Sequence, residues 1–392
     1  MDSRRKLRKS LLPLFVLLAC AAWLIVPWKY WFGPSAKPGQ NRPRDRAEIA
    51  RRMLSAGRFD EVLRIGSQVS PDAPEAAEVY ALVGQAFLSR GELGNARKAL
   101  EASLDRKLEQ PEALEYLAAI YLASGDAVRG LTLLKLVSEL KPEAFRPWLA
   151  MGKVRHDMGE TAEAARAYEE CLKRNPPAEE TRQARKGLIR AMMDDNRLAD
   201  AEPVIAAALH ADPQDAELMG LAALSAQAKG NAAEAGELAE KCLAIDPANS
   251  DALLALAQVR FLEGDPATAE GLLLRADKAR PNQTSVLQLL MQAQSRLGKS
   301  EAAAETRNRF RNVTERIDRM DKLSKRISAE PESPQPRYEL GMEAIAGNMK
   351  VLAEQCFKAA LDIDPTFEPA RRALEEIAKQ PAQDPVPAAP GS

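Results

Sequence analysis

The chain is 392 residues long, and its 55 basic residues nearly cancel 56 acidic ones, so no global field directs it to nucleic acid. Two histidines and four scattered cysteines without a C-x-x-C pair argue against a zinc site and against a disulfide framework. There is no H-E-x-x-H, G-x-S-x-G or glycine-rich nucleotide fingerprint. Gly298-Lys299-Ser300 ends like a phosphate loop, but Ala293 stands where that loop needs its first glycine. No catalytic residue, metal ligand or cofactor is expected.

Residues 1–9 carry Arg4, Arg5, Lys6, Arg8 and Lys9 ahead of an apolar run. Residues 10–28, from Ser10 to Trp28, hold no charge and are long enough to cross a hydrocarbon core as a helix. Trp28, Tyr30, Trp31 and Phe32 then form an aromatic group suited to the membrane–water boundary. The denser positive block precedes the run, which places the N-terminus in the cytoplasm and the rest of the chain outside it, in the periplasm of a bacterium. Two other readings stay open: Ala19-x-Ala21 as a signal-peptidase site and Leu17-Leu18-Ala19-Cys20 as a lipobox. Retention is favoured, because cleavage would leave an apolar new N-terminus. Residues 29–45 are rich in Pro, Gly and charge and read as a juxtamembrane linker.

From residue 46 the chain repeats itself. Gly57, Gly91, Gly125 and Gly159 are spaced by 34 residues, and so are Gly230, Gly264 and Gly298, and Pro213, Pro247 and Pro281. From Gly159 to Gly230 is two such steps plus three residues, which places a small insertion in the turn near Pro176-Pro177. Nine repeats result: 46–74, 77–110, 111–142, 145–176, 182–213, 216–247, 250–281, 284–328 and 334–365. Each has one helix ending at Gly or Asn and a second ending near Pro. Ala96, Ala164, Ala201, Ala235, Ala269, Ala303 and Ala353 share the position where the two helices cross, which Gly130 takes in the third repeat. Glu92, Asp126, Glu160 and Asp265 follow turn glycines and are placed to cap second helices.

The fifth repeat is weaker, with Arg185 at the large-residue position and Asn196 for the glycine. The eighth does not stop on schedule. Over residues 301–328 there is no Gly or Pro, while Phe310, Val313, Ile317, Met320, Leu323 and Ile327 recur at helical spacing, so one long amphipathic helix is expected. Its projecting half suits packing under the ninth repeat, with self-association as the other option. Residues 368–379 read as an amphipathic capping helix, and 381–392 as a disordered Pro/Ala tail.

The fourth repeat carries the fullest pattern. Trp148, Met151, Gly152, Ala164, Tyr168 and Pro176 match W-x2-L-G-x2-Y…A-x3-F…P, with Arg155 in place of its tyrosine. The chain therefore resembles the tetratricopeptide repeat (TPR) family over roughly residues 46–380. That resemblance implies an all-α fold: a right-handed superhelical solenoid of about nine helix pairs, here preceded by one N-terminal transmembrane helix. It also implies a concave groove formed by positions two, five, nine and twelve of the first helices. Mapped onto this chain, those positions include Arg146, Lys153, His156, Lys186 and Arg190, a basic patch suited to an acidic segment of a partner. Further along come Leu254, Phe261, Tyr338 and Met342, suited to apolar anchors. The asparagines of the family's carboxylate-clamp members are absent. The expected function is a non-catalytic, membrane-anchored scaffold binding protein or peptide partners. The alternative is an accessory subunit of an envelope assembly, secretion or cytochrome-maturation system that presents substrates to a catalytic partner.

Overall fold

The computed structural model describes residues 43–379. The expected basic N-terminus, transmembrane helix, most of the linker and the Pro/Ala tail lie outside the described residues. Among the described residues every element is an α-helix, nineteen in all, and no helix is long and apolar enough to cross a membrane.

Eighteen helices form nine antiparallel pairs, and α19 covers the end. The first three pairs are α1 (Pro43–Ser55) with α2 (Phe59–Ser67), α3 (Ala76–Ser89) with α4 (Leu93–Leu104), and α5 (Pro111–Ala123) with α6 (Ala127–Leu140). The next three are α7 (Arg146–Asp157) with α8 (Thr161–Leu172), α9 (Ala178–Asp194) with α10 (Leu198–Ala211), and α11 (Ala216–Ala228) with α12 (Ala232–Ile245). The last three are α13 (Ser250–Leu262) with α14 (Pro266–Ala279), α15 (Thr284–Arg296) with α16 (Ser300–Ala329), and α17 (Pro334–Ala346) with α18 (Lys350–Ile363); α19 is Glu368–Lys379.

Local chemistry accounts for these boundaries. All seven glycines of the expected turn ladders have positive φ, and Asn196 and Asn348 take the same conformation where a repeat lacks the glycine. Asp126 and Asp265 cap their helices by accepting from the backbone N–H of Arg129 (3.1 Å) and Thr268 (3.0 Å). Glu92 and Glu160 make no such bond. One methylene longer, they turn sideways to Asn95 Nδ2 (2.8 Å) and Arg155 Nη1 (2.9 Å).

The crossing positions behave as their size requires: all seven alanines are 3 % exposed or less. A Cβ on Gly130 would meet the Leu122 side chain and the Ala118 carbonyl, so only glycine fits there. Buried clusters span successive pairs, Leu149 to Ala222 across the fourth to sixth repeats and Ala223 to Ala293 across the sixth to eighth. The insertion near Pro176 does not lengthen the turn, as the spacing predicts. It extends the following helix, which starts at Ala178 behind Pro177, with Thr181 Oγ1 donating to the Pro176 carbonyl (2.8 Å). The first helix likewise starts at Pro43, inside the segment read as linker.

The solenoid makes a full circuit. The C-terminal half of α16 touches α6, and α18 touches α4 and α5, so the eighth and ninth repeats meet the second and third. The ninth repeat takes up the projecting half of the long helix, as expected: Leu323 and Ile327 are buried beside Leu340 and Cys356, whereas Ile317 is 57 % exposed. Cys171, Cys242 and Cys356 are free, buried thiols.

Candidate functional site

The inward positions of the first helices fall into three stretches of different chemistry. At the N-terminal end, Gln85 and Leu88 of α3 join Leu54, Phe59, Ser89 and Tyr116 around an open cleft of about 390 Å³. Its walls are aliphatic and aromatic and its rim offers amide and hydroxyl groups, a composition that suits an apolar side chain on a peptide whose backbone needs hydrogen bonds.

The middle stretch holds the expected basic residues, and most of them already have partners. Lys153 Nζ donates to Gln183 Oε1 (3.1 Å), and His156 Nε2 lies 2.9 Å from Asp194 Oδ2. Lys186 Nζ lies 2.8 Å from Asp215 Oδ2 and 2.9 Å from Glu217 Oε2. Arg190 bridges Glu217 (3.1 Å) and Asp251 (2.9 Å), and Arg280 closes on the same Asp251 oxygen at 3.1 Å. Burial works to raise the Glu217 carboxyl, but Lys186 and Arg190 outweigh it and hold it below the usual carboxylate range. The middle of the face is thus an ion-pair ladder rather than a bare positive patch. Arg146 is exposed at the start of α7, near the half-buried Glu115.

The ladder has a signal in the sequence. Glu217 and Asp251 occupy position two of the sixth and seventh repeats, and a first helix reads its charge against the next one, not alone.

In the seventh repeat the expectation of open apolar anchors is corrected: Leu254 is 4 % and Phe261 7 % exposed. Gly220 on α11 faces Asn249 Oδ1 so closely that any Cβ there would collide with it, and α13 lies directly against α11. Leu254 therefore joins the core with Ala223. Arg296 covers the Phe261 ring, its guanidinium carbon 3.8 Å from the centroid. The neighbouring Leu262 faces solvent instead, at 70 % exposure.

In the ninth repeat Tyr338 packs inward, its ring centroid 5.7 Å from those of Phe357 and Phe367. Met342 is open, at 44 % exposure, with Ile345 and Met349 nearby in sequence and also exposed. Among the described residues no group of three or more His, Cys, Asp or Glu is placed to hold a metal ion.

Family models described as tetratricopeptide repeat match residues 83–144, 149–216 and 226–306, together more than half of the chain. A curated mouse relative, protein O-mannosyl-transferase TMTC1, is 27% identical over 149 residues, which is 36% of this chain. The matched region spans only 15% of that protein's length. Similar solved structures include the C-terminal part of a TPR repeat-containing protein from Cytophaga hutchinsonii (12% identity, TM-score 0.47, covering 62% of this chain and 99% of that one). A tetratricopeptide repeat protein from Parabacteroides merdae is also similar (15% identity, TM-score 0.44, 64% and 98%).

Proposed function

Because this chain belongs to the tetratricopeptide repeat family, we propose that it is a non-catalytic scaffold that binds partner proteins or peptides through the inward faces of its first helices. The observation that carries this reading is the open cleft among Leu54, Phe59, Gln85, Leu88 and Tyr116. It lies at inward positions of the first helices, and it joins an apolar floor to the Gln85 amide and the Tyr116 hydroxyl. Exposed Arg146 and Lys153 lie further along the same face and favour a partner whose flanking segment is acidic. Residues 10–28 anchor the scaffold in a membrane, and the charge block before them puts the repeats on the extracytoplasmic side.

The test is affinity capture of the full chain from detergent-solubilised membranes. A Leu88→Glu/Tyr116→Glu variant is expected to lose specific partners that the parent retains, and Arg146→Glu/Lys153→Glu to weaken them in a salt-dependent way. An unchanged partner set in the cleft variant would overturn this site. Reporter fusions after residue 379 test the sidedness, and a cytoplasmic signal would reverse it.

A further inference from the structure

Consecutive repeats are joined through buried apolar clusters, and the contact that closes the circuit adds polar and charged groups to a smaller apolar patch. Ser324 Oγ donates to the Gly125 carbonyl (3.0 Å), and Ser328 Oγ bonds Asp126 Oδ1 (3.0 Å). Leu340 and Ile327 reach the turn at Gly125, where a Cβ would collide with the Leu340 side chain. Gly94, at the start of α4, faces the Asp362 carboxylate, whose atoms are its three nearest neighbours. Between these contacts lies a void of about 20 Å³ whose wall is part aliphatic, with Leu93, Ile120 and Ile363, and part charged, with Arg97, Arg337 and Asp362.

Charged groups are shut into this seam at a cost. Arg337 is 3 % exposed, and burial together with Arg129 brings its guanidinium down to about 10. Burial also pushes the Asp362 carboxyl up, against the pull of Arg97. Opening the seam would return Arg337 and Asp362 to water and expose a small apolar contact, whereas opening a joint between successive repeats would expose larger buried clusters. The closing contact thus combines a few hydrogen bonds, small residues and desolvated charges with a limited apolar contact, the kind of joint that can open locally.

We propose that the seam between the second and third repeats and the eighth and ninth is a latch. It closes the solenoid into a circuit when no partner is bound, and its release admits a bulky partner to the inward face. The proposal rests on the inward face being the binding face. Its test therefore uses a chemical probe in place of a partner.

The experiment takes the full chain in detergent with Cys20→Ser, and adds a reporter cysteine at the exposed inward position Gln288 (Gln288→Cys). Two variants open the latch. Gly94→Glu places a charged side chain against Asp362, and Ser324→Arg removes the bond to Gly125. A third, Gly94→Cys/Asp362→Cys, locks it under oxidation. Circular dichroism checks that each variant is folded.

The opening variants should increase the radius of gyration in X-ray scattering. They should also react with a bulky polyethylene-glycol maleimide roughly tenfold faster than the parent, as expected when a minor open state becomes dominant. N-ethylmaleimide, which is small, should react at the same rate in all variants. The locked pair should slow the bulky probe until it is reduced. Folded opening variants with unchanged scattering and unchanged bulky-probe rates would overturn the latch. Changed scattering without a changed rate would equally overturn it, leaving a structural seam. A latch that opens while partner capture ignores Leu88 and Tyr116 would leave this inference standing and sink the binding site proposed above.

Discussion

Tyr168 lies between two glycines from different helices, Gly152 on α7 and Gly187 on α9, and a Cβ on either would run into its ring. Gly187→Ala is therefore an overpacking change, expected to cost about 1–3 kcal/mol in denaturant unfolding. Gly159→Ala meets no atom within 4 Å, but it forces alanine to φ +74°, so its cost is conformational strain of about 1–2 kcal/mol. Relaxing Tyr168 to Leu should rescue the first variant and leave the second unchanged, which separates the two causes. His156 makes a different prediction. Its hydrogen bond to Asp194 raises the imidazole above its ordinary 6.5, against the opposing effect of burial. The stabilisation is fully present below the unfolded value and disappears as pH rises through the raised one. The difference in Tm between the parent and Asp194→Asn should be largest below the ordinary imidazole value of 6.5 and shrink as pH rises above it. A difference that grows with pH would show that the bond does not hold the proton. The three buried thiols, pushed up by burial to about 11 at Cys171 and Cys242 and about 12 at Cys356, should stay unreactive to a disulfide reagent until the chain unfolds.

At the scale of elements, the helices could be read from spacing because turn glycines, crossing alanines and terminal prolines each impose a local geometry. The sites could not be read so directly. Lys186 and Arg190 stand at inward positions, but their partners Glu217 and Asp251 come from the next two first helices, and only the register across repeats links them. Leu254 and Phe261 stand at equivalent positions and are buried, because Gly220 lets α11 and α13 approach and close that part of the face. The distance between neighbouring first helices is set by such small residues, and position within the repeat does not report it. The ladder carries its own test. Asp251, its side chain 6 % exposed, is held by Arg190 and by the more exposed Arg280. Arg190→Met should cost roughly 1–3 kcal/mol by leaving that carboxylate under-compensated. Arg190→Met/Asp251→Leu should recover most of it, since removing both charges removes the need for pairing. If the double variant in chemical denaturation is no better than the single, the ladder is not a coupled unit.

At the scale of the whole molecule, circuit closure follows from small rotations accumulated over six repeats, and no single repeat encodes it. The 34-residue period fixes each step but not where the solenoid returns to meet itself. The residues at the meeting point, Gly94, Gly125, Ser324 and Asp362, look in sequence like ordinary turn and helix-surface positions. Closure changes the physics of a repeat array. An open solenoid is stabilised by nearest-neighbour contacts alone, so its end repeats fray independently. Here the ninth repeat has a second neighbour in the second, and each end shields the other. Hydrogen exchange should therefore show the N-terminal part of α4, the turn at Gly125 and the C-terminal half of α16 protected together in the parent. In Gly94→Glu all three should lose protection, while α9 to α13, far from the seam along the chain, keep theirs. A uniform rise across every helix would mean that the substitution weakens the whole array. Loss confined to the α4 N-terminus would mean that the seam does not couple the two ends, and the eighth and ninth repeats would then be stabilised by their own neighbours alone.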